Sequence, residues 1–259
     1  MSMVLCERRG SVTILTLNNP AQYNALAGSL LRELDQALDA AIADSAVRAI
    51  MLTGTGKGFC AGAQLGGGDT FAAGGQIGAH MRAGINPVIE KMRGSAKPTV
   101  VAVNGPAAGT GVGIALAGDI VIAARSARFV LSFVRLGAAL DAGTSLLLQR
   151  SVGVARARAL ALLGQPLDAE KAEQWGLIWK MVEDADLAAE AFAVAQKLAD
   201  GPPVSIGLIK DQIDKAWNAS LAATLDDEAT SQSRAFGTAD LREGAAAFVE
   251  KRPARFTGK

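Results

Sequence analysis

The sequence predicts an α/β protein with a parallel or mixed sheet covered by helices. Three observations predict it. Residues 11–17 (SVTILTL) and 47–53 (VRAIMLT) are β-branched runs, and an amphipathic stretch lies between them, which is the spacing of a strand–helix–strand crossover. A third run, Thr99, Val100, Val101 and Val103, is β-branched and bounded by Pro and Gly, as in a buried strand. The second and third runs each lead into a glycine-rich turn, and in such sheets ligands bind beyond the strand ends. With 259 residues, half of them hydrophobic, the chain suffices for one large domain or a domain plus an appendage.

The elements follow in order. Residues 11–17 alternate as a strand does, and Asn18-Asn19-Pro20 ends it. Residues 24–43 carry Leu26, Leu30, Leu34, Ala37, Leu38 and Ile42 at three- and four-residue intervals, with Arg32, Glu33, Asp35 and Asp39 between them, so this is a helix. The strand at 47–53 runs into the turn 54–63 (GTGKGFCAGA). Residues 66–79 are rich in Gly and Ala and read as a mobile loop over the site, with a helix resuming near Ile77. His80 there reads as a solvated or capping histidine. Residues 119–123 and 128–131 read as short strands, 144–150 as a helix, and the pattern is helical from 155 apart from a strand at 177–182. Asp168 has N-cap chemistry for the helix it opens. Gly201-Pro202-Pro203 is a hinge, so the chain divides into a core at 1–200 and a helical region at 201–259. The three helices expected after it are apolar on one side, which suits packing on a neighbouring subunit.

Composition excludes several function classes. Net charge is +1 with no basic run, against nucleic acid as a partner. No secretory leader pattern opens the sequence, and no uninterrupted apolar run reaches the ~18 residues of a membrane span. Cys6 and Cys60 show no pairing logic and suit a reducing compartment, so the cytoplasm is the expected location. His80 is the only histidine, and no Cys/His spacing suggests a metal.

The stretch 97–119 (KPTVVAVNGPAAGTGVGIALAGD) concentrates the chemistry. A strand breaks at Asn104-Gly105-Pro106, and Gly109, Gly111 and Gly113 follow before a helix. One reading is close packing of helix on strand. A dinucleotide fingerprint fits poorly, because the glycines run G-x-G-x-G and no acidic residue follows about 20 positions on. A phosphate loop fails for want of Gly-Lys-Ser/Thr; Lys57 is followed by Gly58 and Phe59. The third reading is an oxyanion hole, main-chain N–H groups aimed at an oxygen that becomes negative. Such donors come from two segments, and the turn at 54–63 supplies the second. Downstream, Asp141 is the only carboxylate between Asp119 and Asp168, in a run of small apolar residues. It suits an N-cap for the helix at 144–150 and equally a general base or acid in a dry pocket. Desolvation would raise its pKa and a helix N-terminus would lower it, which leaves the direction open.

Residues 59–63 (FCAGA) and 97–119, in this order, resemble the two signature segments of the enoyl-CoA hydratase/isomerase (crotonase) superfamily. The resemblance extends from LTLNNP at 15–20 to FVEKRPARFTGK at 248–259. It implies a crotonase-like spiral of β-β-α repeats with a helical C-terminal trimerisation region, hence a homo-oligomer, trimer or dimer of trimers. It also implies an acyl-CoA thioester substrate, with coenzyme A as part of that substrate and no separate cofactor. By the same resemblance the oxyanion donors are the N–H groups of Ala63 and Thr110. Ala61, Gly62, Gln64, Leu65, Gly109 and Phe133 line the acyl site, and Phe248 and Lys251 face the nucleotide of coenzyme A, across a subunit boundary.

The departures from the family pattern direct the reaction. The two glutamates by which the family's hydratases handle water correspond to Gly113 and Phe133, and Gln64 stands where Asp is common. Asp141 matches the catalytic aspartate of the branch that includes ring-epoxide isomerases of phenylacetate catabolism, which turn epoxyphenylacetyl-CoA into oxepin-CoA. In that branch Ile-Pro precedes the aspartate; Ala139-Leu140 does here. The expected function is an acyl-CoA isomerase working through a thioester enolate, shifting a double bond or rearranging a ring epoxide. The alternatives are an enoyl-CoA hydratase of the same superfamily and a catalytically inactive acyl-CoA-binding homologue.

Overall fold

The computed structural model describes residues 2–64 and 74–259. Its strands are β1 (Val4–Arg9), β2 (Val12–Leu17), β3 (Ala49–Gly54), β4 (Thr99–Val103), β5 (Ala107–Ala108), β6 (Ile120–Ala124), β7 (Arg128–Val130), β8 (Pro166–Asp168) and β9 (Lys180–Val182). Its helices are α1 (Gly28–Ala43), α2 (Ile77–Ala83), α3 (Ile85–Gly94), α4 (Thr110–Leu116), α5 (Thr144–Val152), α6 (Val154–Leu163), α7 (Ala169–Gln174), α8 (Leu187–Ala199), α9 (Pro203–Ala216), α10 (Leu221–Phe236) and α11 (Ala239–Glu250). The main sheet runs β1-β2-β3-β4-β6-β9, antiparallel between β1 and β2 and parallel thereafter; β5-β7-β8 form a second, smaller sheet.

Side chains alternate between the faces of a strand, and the core divides accordingly. Leu15, Leu17, Ile50, Leu52, Val101 and Val103 face Leu30, Leu34 and Leu38 of α1 and Val88 and Met92 of α3. Val12, Ile14, Met51, Val100, Ala102 and Ile122 face Ala191, Ala195 and Ala199 of α8. The small residues on α8 let that helix lie close to the sheet. All five residues of β4 are buried, as expected for a central strand covered on both sides.

Several boundaries differ from expectation for identifiable reasons. β1 escapes notice because it is an edge strand that buries only Val4, so VLCERR shows no alternation. α1 starts at Gly28 rather than at 24, because Asn24 sits at φ +56°, fully buried, with its side chain engaged elsewhere. The strand expected at 177–182 is confined to Lys180–Val182, since a turn with Gly176 at φ +77° occupies the residues before it. Asp168 does cap its helix, accepting from the Lys171 N–H at 2.8 Å.

After Gly201-Pro202, α9, α10 and α11 end in an extended tail. Asp240 holds the tail by accepting from the N–H groups of Thr257 (2.6 Å) and Gly258 (2.8 Å). Arg48 reaches across from the core to the carbonyl of Phe256 at 2.9 Å. These helices leave large apolar side chains exposed, among them Ile213, Trp217, Leu221 and Phe236. Among the described residues, no helix is long and apolar enough to cross a membrane.

Candidate active site

The two glycine turns meet at the ends of β3 and β4. Asn24 anchors the first turn, donating from Nδ2 to the carbonyls of Thr55 (3.0 Å), Gly58 (2.8 Å) and Phe59 (3.1 Å). Its Oδ1 accepts from the Asn19 N–H at 2.8 Å. Asn104 of the second turn accepts from Gly54 N–H and donates to the Gly56 carbonyl, both at 3.1 Å. Main-chain bonds from Phe59 N–H to the Pro106 carbonyl (3.0 Å) and from Ala108 N–H to the Cys60 carbonyl (2.9 Å) then zip the segments together. Gly62, at φ +85°, permits the closest approach: a Cβ there would stand 2.6 Å from the Ala108 carbonyl oxygen and 3.2 Å from the Thr110 nitrogen. Any side chain at 62 would therefore drive the two turns apart.

This arrangement leaves two N–H groups available. Leu26 donates to the Gly62 carbonyl (2.8 Å) and accepts from Gln64 N–H (3.4 Å), so the bridge uses the residues on either side of Ala63 and turns the Ala63 N–H the other way. Thr110 opens α4 after Gly109 (φ +52°, ψ −125°), and the first N–H groups of a helix have no partner within it. Among the described residues, neither N–H has an intramolecular acceptor.

Asp141 stands beside Thr110. The Thr110 hydroxyl donates to Asp141 Oδ2 at 2.8 Å, while Oδ1 is buried without a partner. Burial pushes the Asp141 carboxyl above its ordinary value, and the Thr110 hydrogen bond opposes that rise only in part. The N-cap reading of Asp141 is corrected: the residue capping α5 is Gly143, and no side chain bonds the helix start. The Asp141 contribution there is its main-chain carbonyl, which accepts from Thr144 N–H at 2.9 Å. The carboxylate is thereby free for other work. Ala142 follows at φ +48°, an uncommon conformation for a residue with a Cβ, and such strain persists where the surroundings impose it.

The two positions that the resemblance assigns to the hydratase glutamates are closed. A Cβ on Gly113 would fall 2.6 Å from Ala142 Cβ and 2.7 Å from the Ala142 carbonyl oxygen. Phe133 is 7 % exposed, with ring carbons 3.9 Å from where a Gly109 Cβ would lie. Cys60, fully buried next to the turn, has its thiol pushed up to about 12 by desolvation, which removes it as a nucleophile. His80 lies exposed in the last turn of α2.

The remaining expected site residues divide into two groups. Ala61, exposed, donates its N–H to the Tyr23 carbonyl (2.9 Å); Gln64 is half-buried; Gly109 donates to the Val130 carbonyl (2.9 Å). With Gly62 and Phe133 they surround the two free N–H groups. Leu65, and the loop expected at 66–79 up to residue 73, lie outside the described residues. Phe248 (86 % exposed) and Lys251, at the end of α11, are joined to these turns by no hydrogen bond or ion pair among the described residues. The sequence reading missed two contributors. The sequence places Asn24 in the helix, whereas the fold puts it in a turn at φ +56° with its side chain clamping the first glycine segment. The Thr110 hydroxyl carries no signal in the sequence, because the carboxylate it meets lies thirty-one residues away.

The chain is similar to known proteins along nearly its whole length. The Enoyl-CoA hydratase/isomerase family model matches residues 7–259. The chain is 42 % identical over 261 residues to the 1,2-epoxyphenylacetyl-CoA isomerase of Escherichia coli (strain K12), covering all of both chains. It is 34 % identical, again over the full length of both, to the 2,3-dehydroadipyl-CoA hydratase of the same organism. The crystal structure of an enoyl-CoA hydratase from Polaromonas sp. JS666 superposes with a TM-score of 0.92 at 33 % identity, covering 98 % of this chain and 99 % of that one. With the crotonase fold, the paired glycine turns and a family match over nearly its whole length, this chain belongs to the enoyl-CoA hydratase/isomerase family.

Proposed function

We propose that the protein is an acyl-CoA isomerase in which Asp141 moves the proton and the N–H groups of Ala63 and Thr110 hold the thioester oxygen. The observation that carries this reading is an underpartnered carboxylate beside two N–H groups that are unpaired among the described residues; the resemblance, which assigns the hydratase glutamates to the positions of Gly113 and Phe133, supports it. Removing an α-proton from an acyl thioester sends charge onto the carbonyl oxygen. Each fixed donor aimed at that oxygen stabilises the transition state by about 3–4 kcal/mol. The raised pKa of Asp141 brings the base closer to the operating pH, where it can both take and return a proton. One carboxylate suffices to take a proton at one carbon and deliver it at another. Water addition also needs a group that orients water, and among the described residues no second carboxylate bears on Asp141.

The substrate class is an acyl-CoA whose α-proton is acidified by a β,γ double bond or a ring epoxide, such as epoxyphenylacetyl-CoA. The relative of that name and the match at Asp141 support it. Ala61, Gly62, Gln64, Leu65, Gly109 and Phe133 would line the acyl group, and Phe248 and Lys251 would meet the nucleotide. The helical region after the hinge would form a trimer or dimer of trimers through its exposed apolar side chains; a monomer in sedimentation at micromolar concentration would overturn this. A hydratase is the second reading, favoured by relatives that bear that name. A panel of acyl-CoAs incubated in heavy water decides between them. Isomerisation gives deuterium at the α and γ carbons with no 3-hydroxyacyl-CoA. Accumulation of 3-hydroxyacyl-CoA would establish the hydratase, and tight binding without deuterium uptake would establish a non-catalytic binder.

A further inference from the structure

We infer that the Thr110 side chain is a positioning residue for Asp141, so that one residue serves the reaction twice: its N–H faces the thioester oxygen and its hydroxyl aims the base. The inference rests on the isomerase reading above and adds a role that the reading does not require. Four observations carry it. Thr110 is 4 % exposed, so its rotamer is set by packing. Its hydroxyl donates to Asp141 Oδ2 at 2.8 Å. That bond is the only hydrogen bond of the Asp141 side chain among the described residues, and Oδ1 has none. The influences on the Asp141 proton affinity are burial and this hydroxyl, with no charged group among them.

The consequence is a division of labour between the two carboxylate oxygens. Oδ2 is occupied, so Oδ1 receives the proton. In the forward step the C–H electron pair moves into the enolate, negative charge settles on the thioester oxygen, and the proton joins Oδ1. In the return step the proton leaves Oδ1 for the γ carbon, and the electrons come back from the enolate. A hydroxyl can donate to Oδ2 whether Asp141 is ionised or protonated, so the carboxyl need not turn between the steps. The bond is stronger to the ionised form, which holds the base ready. Because the donor hydroxyl and the oxyanion N–H belong to the same residue at the start of α4, the distance between base and oxyanion is fixed by one residue's geometry. Misplacement of a base by about 1 Å can cost a hundredfold in rate.

The test uses Thr110→Val, Thr110→Ala and Thr110→Ser in the full-length protein, assayed on a β,γ-unsaturated acyl-CoA, with Asp141→Asn as reference. Val keeps the shape and the N–H but loses the donor. The expected result is a turnover about 10- to 100-fold lower with KM little changed. The acid limb of the kcat/KM profile should move to higher pH, because the ionised carboxylate has lost its hydrogen bond. Ser should restore both rate and limb. Ala carries the same expectation as Val and stands in for it if Val does not fold. An unmoved acid limb in Val and Ala, or failure of Ser to restore it, overturns the role of the hydroxyl while leaving Asp141 as base. Wild-type turnover in Asp141→Asn overturns Asp141 as the base, and absence of isomerisation in the wild type overturns the isomerase reading itself.

Discussion

Asp119 and Asp141 are both half-buried carboxylates, and their surroundings differ in kind. Asp119 accepts from Lys210 Nζ at 2.9 Å and from Thr99 N–H at 2.7 Å, with Arg93 Nη1 at 3.8 Å. Arg93 in turn pairs with Asp214, and Lys210 also donates to the Met92 carbonyl at 2.7 Å, so α9 is bolted to the sheet. Asp141 has one hydroxyl and one oxygen with nothing. Burial raises both carboxyls above their ordinary value, so the direction of shift does not tell them apart. The partners do. A buried acid surrounded by donors holds a structure together. One left with an unused lone pair in a dry site is ready for a substrate proton.

The largest effect expected from this contrast is on rate. Asp141→Asn should fold, bind acyl-CoA and lose roughly two to four orders of magnitude of isomerisation, measured as turnover per folded molecule. Near wild-type turnover would move the base elsewhere. Lys210→Met makes the opposite cut. It strands Asp119 in the interior, and chemical denaturation should show a loss of about 3–5 kcal/mol with turnover per folded molecule little changed. A loss of activity without loss of stability would erase the distinction between the two acids. The smallest effect is a slope. With its folded pKa raised, Asp141 contributes stability that is fully present below the ordinary carboxylate value of 3.8 and is lost as pH rises through the folded value. Asp119 is shared by wild type and Asp141→Asn and cancels in their difference. The stability of wild type relative to that variant should therefore increase as pH falls from neutral towards 4, measured by denaturant unfolding across that range; a constant difference would mean that Asp141 is not perturbed.

Periodicity carried most of the fold because it reports burial directly. β4, with five buried residues, and α1, with its leucine stripe, were legible for that reason. β1 was not, since an edge strand buries little. The two turns were legible because glycine at a strand end is a statement about backbone approach, and the 2.6 Å that a Gly62 Cβ would leave is that statement in three dimensions. Asp141 could be found as an isolated carboxylate, yet its competing duty as a cap could not be dismissed until Gly143 was seen in that place. The Asn24 clamp and the Thr110 hydroxyl were invisible because each is a contact between residues about thirty positions apart, and spacing along the chain encodes no such meeting.

The space above Gly113 has an evolutionary consequence. The loop that carries Asp141 fills the volume where any side chain at 113 would begin, down to a collision with Ala142 itself. A glutamate at 113 and this aspartate loop are therefore alternatives, not additions. On the proposed function, passage between the two chemistries would therefore change residue 113 and the Ala142 backbone beside it together.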